Sequence, residues 1–95
     1  MLEKNPNEVV EEIIEDTTSV IHPYKVLLFN DDIHSFEEVI NQLIKAVKCT
    51  FEEARDYAFE AHVKGKAVVF NGDLSVCLKV TSILEEIALH TQIIT

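Results

Sequence analysis

The chain has 95 residues, of which 47% are hydrophobic and 26% are charged, and it contains only 2 glycines and 2 prolines. This length and composition describe one small globular domain and exclude a multidomain enzyme. Its 17 acidic and 8 basic side chains give a net charge of −9, which leaves no surplus of cations to neutralise phosphates and argues against a nucleic-acid partner.

Residues 1–20 carry most of the excess negative charge, with six acidic side chains and Lys4 as their one cation. We interpret them as an acidic flexible N-terminal extension; a short helix and an arm that engages a partner are the alternatives. The acidic start is unlike a signal peptide and no apolar run is long enough to span a bilayer, so we expect a cytoplasmic protein without membrane contact. The folded domain is expected over residues 21–95.

The run YKVLLFN, which begins at Tyr24, is rich in aromatic and aliphatic residues and stops at the turn-forming residues 30–32. This pattern predicts a buried strand. Ser35, with Glu38 three residues later, forms a capping box ahead of FEEVINQLIKAV. Because the apolar residues of that run recur at helical spacing, it predicts the first helix.

A second capping box, Thr50 with Glu53, opens the second predicted helix, and Gly65 is a typical helix C-terminal residue. The short apolar run KAVVF then predicts a strand that is closed by a turn at residues 71–73. LSVCLKVTSILEEIALH predicts a third helix, and QIIT a last strand. The order β-α-α-β-α-β predicts an α+β fold, a small three-stranded antiparallel or mixed sheet with three helices packed on it.

Two cysteines, Cys49 and Cys77, lack the spacing of a zinc site or a disulfide framework. We interpret them as free, partly buried thiols and expect no cofactor and no metal.

The polar cluster Asn30, Asp31 and Asp32 lies between the first strand and the first helix. These residue types are common in turns, but two adjacent carboxylates also favour a cationic ligand. His62, near the end of the second helix, has two interpretations, of which a role at the helix terminus is the more common one for a single histidine. It either caps that helix terminus or joins the polar cluster in a binding site, and spacing alone leaves both open.

YKVLLFNDD, AHVKGKAVV at residues 61–69 and the third helix with Lys79 resemble the ClpS family, over about 70 residues. The family consists of adaptors that deliver proteins with bulky hydrophobic N-terminal residues to the ClpA–ClpP protease. The resemblance implies a monomeric, non-enzymatic adaptor whose partners are substrate N-terminal peptides and the N-terminal domain of a ClpA-type AAA+ unfoldase. It also implies that Asn30, Asp31, Asp32 and His62 hold the α-amino group of the substrate.

By the same resemblance, a hydrophobic pocket would receive the first side chain of the substrate. The residues mapped to it are Ile33, His34, Phe36, Val39, Ala58, Ala61 and Ile94. The sequence departs from the family there: His34-Ser35 replace Thr-Pro, Phe36 replaces a methionine that gates the pocket, and Ala58 and Ala61 replace larger aliphatic residues. We therefore expect binding of N-terminal Leu, Phe, Tyr or Trp without a predicted ranking.

The surface that docks on the unfoldase is mapped to Lys79, Asp73 and Leu74. Acidic positions of the family are Leu74 and Cys77 in this chain. Either the unfoldase has changed with them, or the contact is mainly apolar, or Leu74 packs inward and Asp73 serves instead. Two other hypotheses are a ClpS-like domain that docks on an AAA+ partner without reading N-termini, and a metal site built from Asp31, Asp32, His34 and His62. No metal-ligand motif supports the latter.

Overall fold

A computed structural model describes residues 23–95, which form three strands and three helices. The elements are β1 (Tyr24–Phe29), α1 (Phe36–Val47), α2 (Phe51–Lys64), β2 (Lys66–Gly72), α3 (Leu74–Glu85) and β3 (Thr91–Ile94). The predicted order β-α-α-β-α-β is confirmed, and the sheet is antiparallel throughout, in the order β2-β1-β3. Residues 1–20, the predicted extension, lie outside the described residues.

The central strand β1 pairs with both neighbours, and its alternating side chains attach the sheet to the helices. Val26 and Leu28 are fully buried, as are Ala67 and Val69 on β2. A register shift between Val26 and Leu27 introduces one extra residue into β2, which bends this edge strand. Helix α2 packs on β2 and β1, α3 packs on all three strands, and α1 lies against α2 and α3. The core is therefore continuous from the sheet to α1.

Both predicted capping boxes are present. The Ser35 hydroxyl accepts from the Glu38 N–H and the Glu38 carboxylate accepts from the Ser35 N–H, and Thr50 and Glu53 repeat the arrangement. Each box satisfies two N–H groups that a helix terminus otherwise leaves unpaired. Gly65 ends α2 at φ 90°, a left-handed conformation that glycine adopts without a steric penalty. These caps determine where α1 begins and where α2 begins and ends.

Replacement of Ser35 by alanine is expected to lower the free energy of unfolding by about 1 kcal/mol, the typical cost of losing a helix N-cap. Urea unfolding followed by circular dichroism measures the loss. Ser82→Ala is the matched control because Ser82 is exposed within α3 and its side chain makes no hydrogen bond to residues 23–95. Equal stability of the two variants would contradict the role of the box.

The third helix is shorter than predicted. It ends at Glu85, and residues 86–88 form a turn in which Ala88 has φ 65°. The apolar residues Ile87 and Leu89 extend the helical pattern in the sequence, but Leu89 is buried by this turn rather than by a further helical turn. Its N–H donates to the Leu84 carbonyl. The turn reverses the chain into β3, which begins at Thr91.

The two cysteines are free, Cys77 in the core and Cys49 half-buried. Burial raises the pKa of both thiols above the ordinary value, which keeps them protonated near neutral pH. None of the helices within residues 23–95 combines the length and the hydropathy needed to cross a bilayer.

Candidate functional site

One cavity of about 290 Å³ opens where β1 ends, between the β1–α1 loop and α2. Its lining combines the end of the strand, the loop, the first turn of α1, one face of α2 and one residue beyond α3. The lining residues are Leu28, Phe29, Asn30, Asp31, Asp32, His34, Ser35, Phe36, Val39, Ala58, Ala61, His62 and Leu89. The cavity therefore has an apolar interior and a polar side.

The apolar walls come from buried residues of three elements. Ala58 and Ala61 are buried on α2, and Leu28 and Leu89 are buried on the sheet side. The alanines leave room because their side chains end at Cβ, whereas the leucines enclose that room with hydrocarbon. Val39, half-buried on α1, completes the wall. An apolar cavity with a few polar groups at one side is the usual form of a small-ligand or side-chain pocket.

Backbone hydrogen bonds hold the polar side in place. The Asn30 N–H donates to the carbonyl of Gly65 at 3.0 Å, and the Phe29 N–H donates to the carbonyl of His90 at 3.0 Å. The first bond ties the start of the β1–α1 loop to the end of α2. It explains how Asn30 and His62, which are distant in sequence, line the same cavity.

The Asp31 carboxylate makes its hydrogen bonds within the β1–α1 loop. Its Oδ1 accepts from the N–H groups of Ile33 at 2.9 Å and His34 at 3.0 Å, and its Oδ2 lies 2.8 Å from Nδ1 of His34. Burial raises the pKa of Asp31, but the hydrogen bonds from His34 and Ile33 outweigh it, so the net pKa lies below the ordinary value. Asp31 is thus an ionised carboxylate near neutral pH, with most of its lone pairs engaged.

Asp32 differs from its neighbour. It is exposed at the cavity mouth and makes no hydrogen bond or ion pair with another side chain of the described region, residues 23–95. Its negative charge is therefore available to a ligand. Of the two adjacent carboxylates, Asp31 organises the loop and Asp32 presents charge to the cavity.

His34 lines the cavity, but its ring is held in a polar network. Nδ1 contacts the Asp31 carboxylate, and Nε2 lies 2.5 Å from the carbonyl oxygen of Ile87. The hydrogen bond with Asp31 raises the pKa of His34; burial opposes it, and the Ile87 carbonyl and the negative charges of Asp31 and Glu38 add to the increase. The predicted apolar wall thus contains a polar, hydrogen-bonded side chain.

Phe36 and His62 meet across the mouth of the cavity. Their ring centroids are 5.4 Å apart with the planes at 65°, an edge-to-face arrangement that aromatic rings favour. Phe36 is 46% exposed, since it stands at the start of α1 beside the opening. Its ring therefore borders the opening of the cavity.

Two of the residues mapped to the pocket lie elsewhere. Ile33 is 87% exposed, because the turn that Asp31 organises directs it to solvent. Ile94 pairs with Lys25 near the start of β1, whereas the cavity lies at the opposite end of that strand. The structure brings the other mapped residues together, and it adds Leu28, Phe29, Ser35 and Leu89.

Leu28 shares a face of β1 with Val26, but the apolar run from Val26 to Phe29 does not show in sequence which face is directed toward the cavity. The sequence does not mark Leu89 either. Leu89 follows Ala88, whose backbone is left-handed. The helical pattern of α3 continues through this turn in the sequence, so the pattern does not reveal the turn.

The residues mapped to partner docking lie on another surface, at the start of α3. Asp73 is the helix N-cap residue but makes no side-chain capping bond, and Lys79 is exposed. Leu74 is 42% exposed and Cys77 is fully buried, so Leu74 does not pack inward. A shallow groove on the same helix is lined by Leu78, Lys79, Ser82 and Ile83. This surface is largely apolar, with one cation.

Within residues 23–95, no group of three His, Cys, Asp or Glu side chains converges in a way that could hold a metal ion. The geometry gives the metal hypothesis no support.

The sequence is similar to proteins of known kind. The family model described as "ATP-dependent Clp protease adaptor protein ClpS" matches residues 21–92. The ClpS adapter of Salmonella gallinarum is 34% identical over 71 residues, which cover 73% of this chain and 67% of that protein. The E3 ubiquitin-protein ligase UBR2 of Homo sapiens is 39% identical over 61 residues, 64% of this chain. Those residues span only 4% of the ligase.

The fold is also found in a solved structure, that of Agrobacterium tumefaciens ClpS2 bound to L-phenylalaninamide. The two superpose with a TM-score of 0.71 over 75% of this chain and 93% of that one, at 23% sequence identity. At this identity the similarity establishes a shared fold.

Proposed function

Because the chain belongs to the family of ATP-dependent Clp protease adaptor proteins, ClpS, we propose that it binds substrate proteins by their N-terminal residue and delivers them to a Clp protease. The observation that carries the proposal is the cavity itself. The apolar interior of the cavity opens beside Asn30, Asp32 and His62. These residues supply an amide oxygen, a carboxylate and a ring nitrogen.

The first residue of a protein offers two features that no internal residue combines, an α-ammonium group and a side chain that can enter a pocket end-on. The ammonium has three N–H donors, and Asn30, Asp32 and His62 offer acceptors for them. An internal or acetylated residue would cover these exposed acceptors without pairing them, at a cost of about 1 to 3 kcal/mol for each group that the ligand buries. Selective binding needs no bond to be broken, so we propose no catalytic role.

The apolar walls of the cavity suit a large apolar side chain. These walls of Leu28, Val39, Ala58, Ala61 and Leu89 offer hydrocarbon on several sides, and burial of a Leu or Phe side chain is worth roughly 1.5 to 3 kcal/mol. The related fold solved with L-phenylalaninamide holds a ligand with a free α-amino group and an aromatic side chain. We therefore propose N-terminal Leu, Phe, Tyr and Trp as the substrate class.

We assign delivery to the surface at the start of α3, with the N-terminal domain of a ClpA-type AAA+ unfoldase as the proposed partner. Leu74 and Leu78 are exposed beside Lys79, so the contact would be mainly apolar with one ionic contribution. The similarity to ubiquitin ligases extends over a small part of those proteins. The match to a Clp adapter covers two thirds of that protein, and this favours the Clp partner.

Delivery is tested with a fluorescent reporter that begins with Phe, incubated with ClpA, ClpP and ATP. The chain is expected to accelerate loss of fluorescence, and a reporter that begins with Ser is expected to be unaffected. Leu74→Lys is expected to abolish acceleration while reporter binding persists, because it places a cation in an apolar contact, at a position where the family carries an acidic residue. Ser82→Lys puts the same charge in the neighbouring groove and shows how far the contact extends.

Reporter binding without acceleration by the unaltered chain would refute delivery to this unfoldase. Docking on the unfoldase without reporter binding would instead favour a domain that does not read N-termini.

A further inference from the structure

Both ring nitrogens of His34 face hydrogen-bond acceptors. Nδ1 lies 2.8 Å from Oδ2 of Asp31, and Nε2 lies 2.5 Å from the carbonyl oxygen of Ile87. A backbone carbonyl has no proton to donate, and an ionised carboxylate has none either. A neutral imidazole carries one N–H and could serve only one of these acceptors. The imidazolium carries two and serves both.

The proton belongs to His34 rather than to Asp31. A protonated Asp31 could donate to a neutral Nδ1, but its Oδ1 also accepts from the backbone N–H groups of Ile33 and His34. Such donors favour the ionised carboxylate. The His34 side chain is 11% exposed and that of Asp31 22%, so water screens this pair less than an ion pair on the surface.

The bridge connects two segments that border the cavity. On one side is the β1–α1 loop, which carries Asn30 and Asp32. On the other is the turn after α3, which leads from Ile87 through left-handed Ala88 to Leu89, a wall of the cavity. Without His34, no side-chain hydrogen bond joins this loop to this turn within residues 23–95.

We propose that His34, as an imidazolium, is a positioning residue that fastens the β1–α1 loop to the turn after α3 and so fixes Asn30 and Asp32 at the mouth of the cavity. The bridge itself is a property of the fold. Its consequence for ligand binding rests on the proposed function.

The groups around His34 set the sign of the pH dependence. Its own loop contributes Asp31, and α1 contributes Glu38. The segment after α3 presents the Ile87 carbonyl, while Glu85 and Glu86 are engaged by Thr91 and Lys45. Helix α2 brings His62 to the same cavity. The two carboxylates therefore dominate and favour the charged ring.

The raised pKa of His34 means that the bridge stabilises the fold fully below the ordinary histidine value of about 6.5. This stabilisation is lost as the pH rises through the raised value. The lowered pKa of Asp31 preserves the bridge toward acid until that carboxylate is protonated. The bridge is thus strongest in mildly acidic solution.

The first test needs no ligand. Imidazole nitrogen NMR of the full chain at about pH 6.5, the ordinary histidine pKa, is expected to show both ring nitrogens of His34 predominantly protonated, with a titration midpoint above that pH. In Asp31→Asn, the amide keeps an oxygen for the two backbone N–H groups and turns its NH₂ toward Nδ1. That arrangement matches a neutral ring, so the His34 signals are expected to change to the neutral form. A neutral His34 ring in the unaltered chain would overturn the proposal.

Stability against pH gives a second test. The unaltered chain and His34→Gln are melted at several values from about pH 6 to about pH 9, and the Tm difference between them is expected to shrink as the pH rises. His90→Gln is the matched control, because His90 contacts the ring of Phe29 and its side chain makes no hydrogen bond or ion pair within residues 23–95. A Tm difference that stays constant with pH would overturn the bridge.

The positioning role is tested by affinity for a peptide that begins with Phe. His34→Leu is expected to weaken binding about three- to tenfold near pH 6.5, and His34→Gln, which keeps one N–H donor, to recover part of the loss. Unchanged affinity in His34→Leu would refute positioning. If the unaltered chain binds no such peptide, the proposed function fails, while the ring signals and the melting profile still decide the bridge.

Discussion

Replacement of Ala61 by leucine is expected to weaken the binding of a peptide with N-terminal Phe by about tenfold to about a hundredfold. Ala61 is buried and lines the cavity, so the added branches occupy space that the phenyl ring would fill. Burial of that ring is worth roughly 1.5 to 3 kcal/mol, and each 1.4 kcal/mol is a factor of about ten in affinity. Fluorescence anisotropy with a labelled peptide measures the change.

Val63→Leu is the matched control, since Val63 lies on the same helix, is 61% exposed and does not line the cavity. A larger residue at position 61 can also strain the core by about 1 to 3 kcal/mol, so thermal unfolding accompanies each titration. Val39→Phe narrows the cavity from α1 and provides a second variant. Full affinity in both folded variants would contradict the pocket assignment.

Replacement of His62 by alanine is expected to weaken the same peptide by about fivefold to about 150-fold. The estimate follows from the 1 to 3 kcal/mol cost of leaving a buried hydrogen-bonding group unpaired, here an N–H of the ligand ammonium. Asn30→Ala removes a second acceptor and is expected to have an effect of the same size. Anisotropy titrations at one pH compare the variants directly.

His62 also packs against Phe36, so the alanine variant removes a contact as well as an acceptor. His62→Phe separates the two because it keeps an aromatic ring beside Phe36 but has no ring nitrogen. The account predicts that His62→Phe binds as weakly as His62→Ala, whereas His90→Ala binds like the unaltered chain. Full binding by His62→Phe would show that packing at the mouth, and not hydrogen bonding, matters.

Local signals in the sequence predicted most of the fold. The two capping boxes fixed the starts of α1 and α2, and the left-handed preference of Gly65 fixed the end of α2. Dense apolar runs closed by turn residues placed β1 and β2. These signals act within a few residues of one another, which is why a single sequence reveals them.

The remaining features depend on contacts between distant segments. The early end of α3 depends on left-handed Ala88 and on the burial of Leu89, neither of which has a periodic signal. The bond between His34 and Ile87 joins residues 53 positions apart. The different roles of Asp31 and Asp32 likewise follow from loop geometry. In the sequence alone the two carboxylates are adjacent and equivalent.

The family resemblance supplied the set of site residues, and the structure shows where each of them lies. It places the four polar residues and five of the seven mapped pocket residues around one cavity, with Ile33 and Ile94 outside it. Ile94 was mapped from the last strand, but antiparallel pairing carries the end of β3 to the start of β1. Ile94 was misplaced because no local sequence pattern encodes the direction of β3 relative to β1.

The measurement that tests the central claim most directly is anisotropy with two labelled peptides that are identical except for an acetyl group on N-terminal Phe. The acetyl group removes the positive charge and the ammonium donors but leaves the phenyl ring in place. We expect saturable binding of the free peptide and none of the acetylated one. Equal affinity for both, or binding of neither at high protein concentration, would contradict recognition of the N-terminus by this cavity.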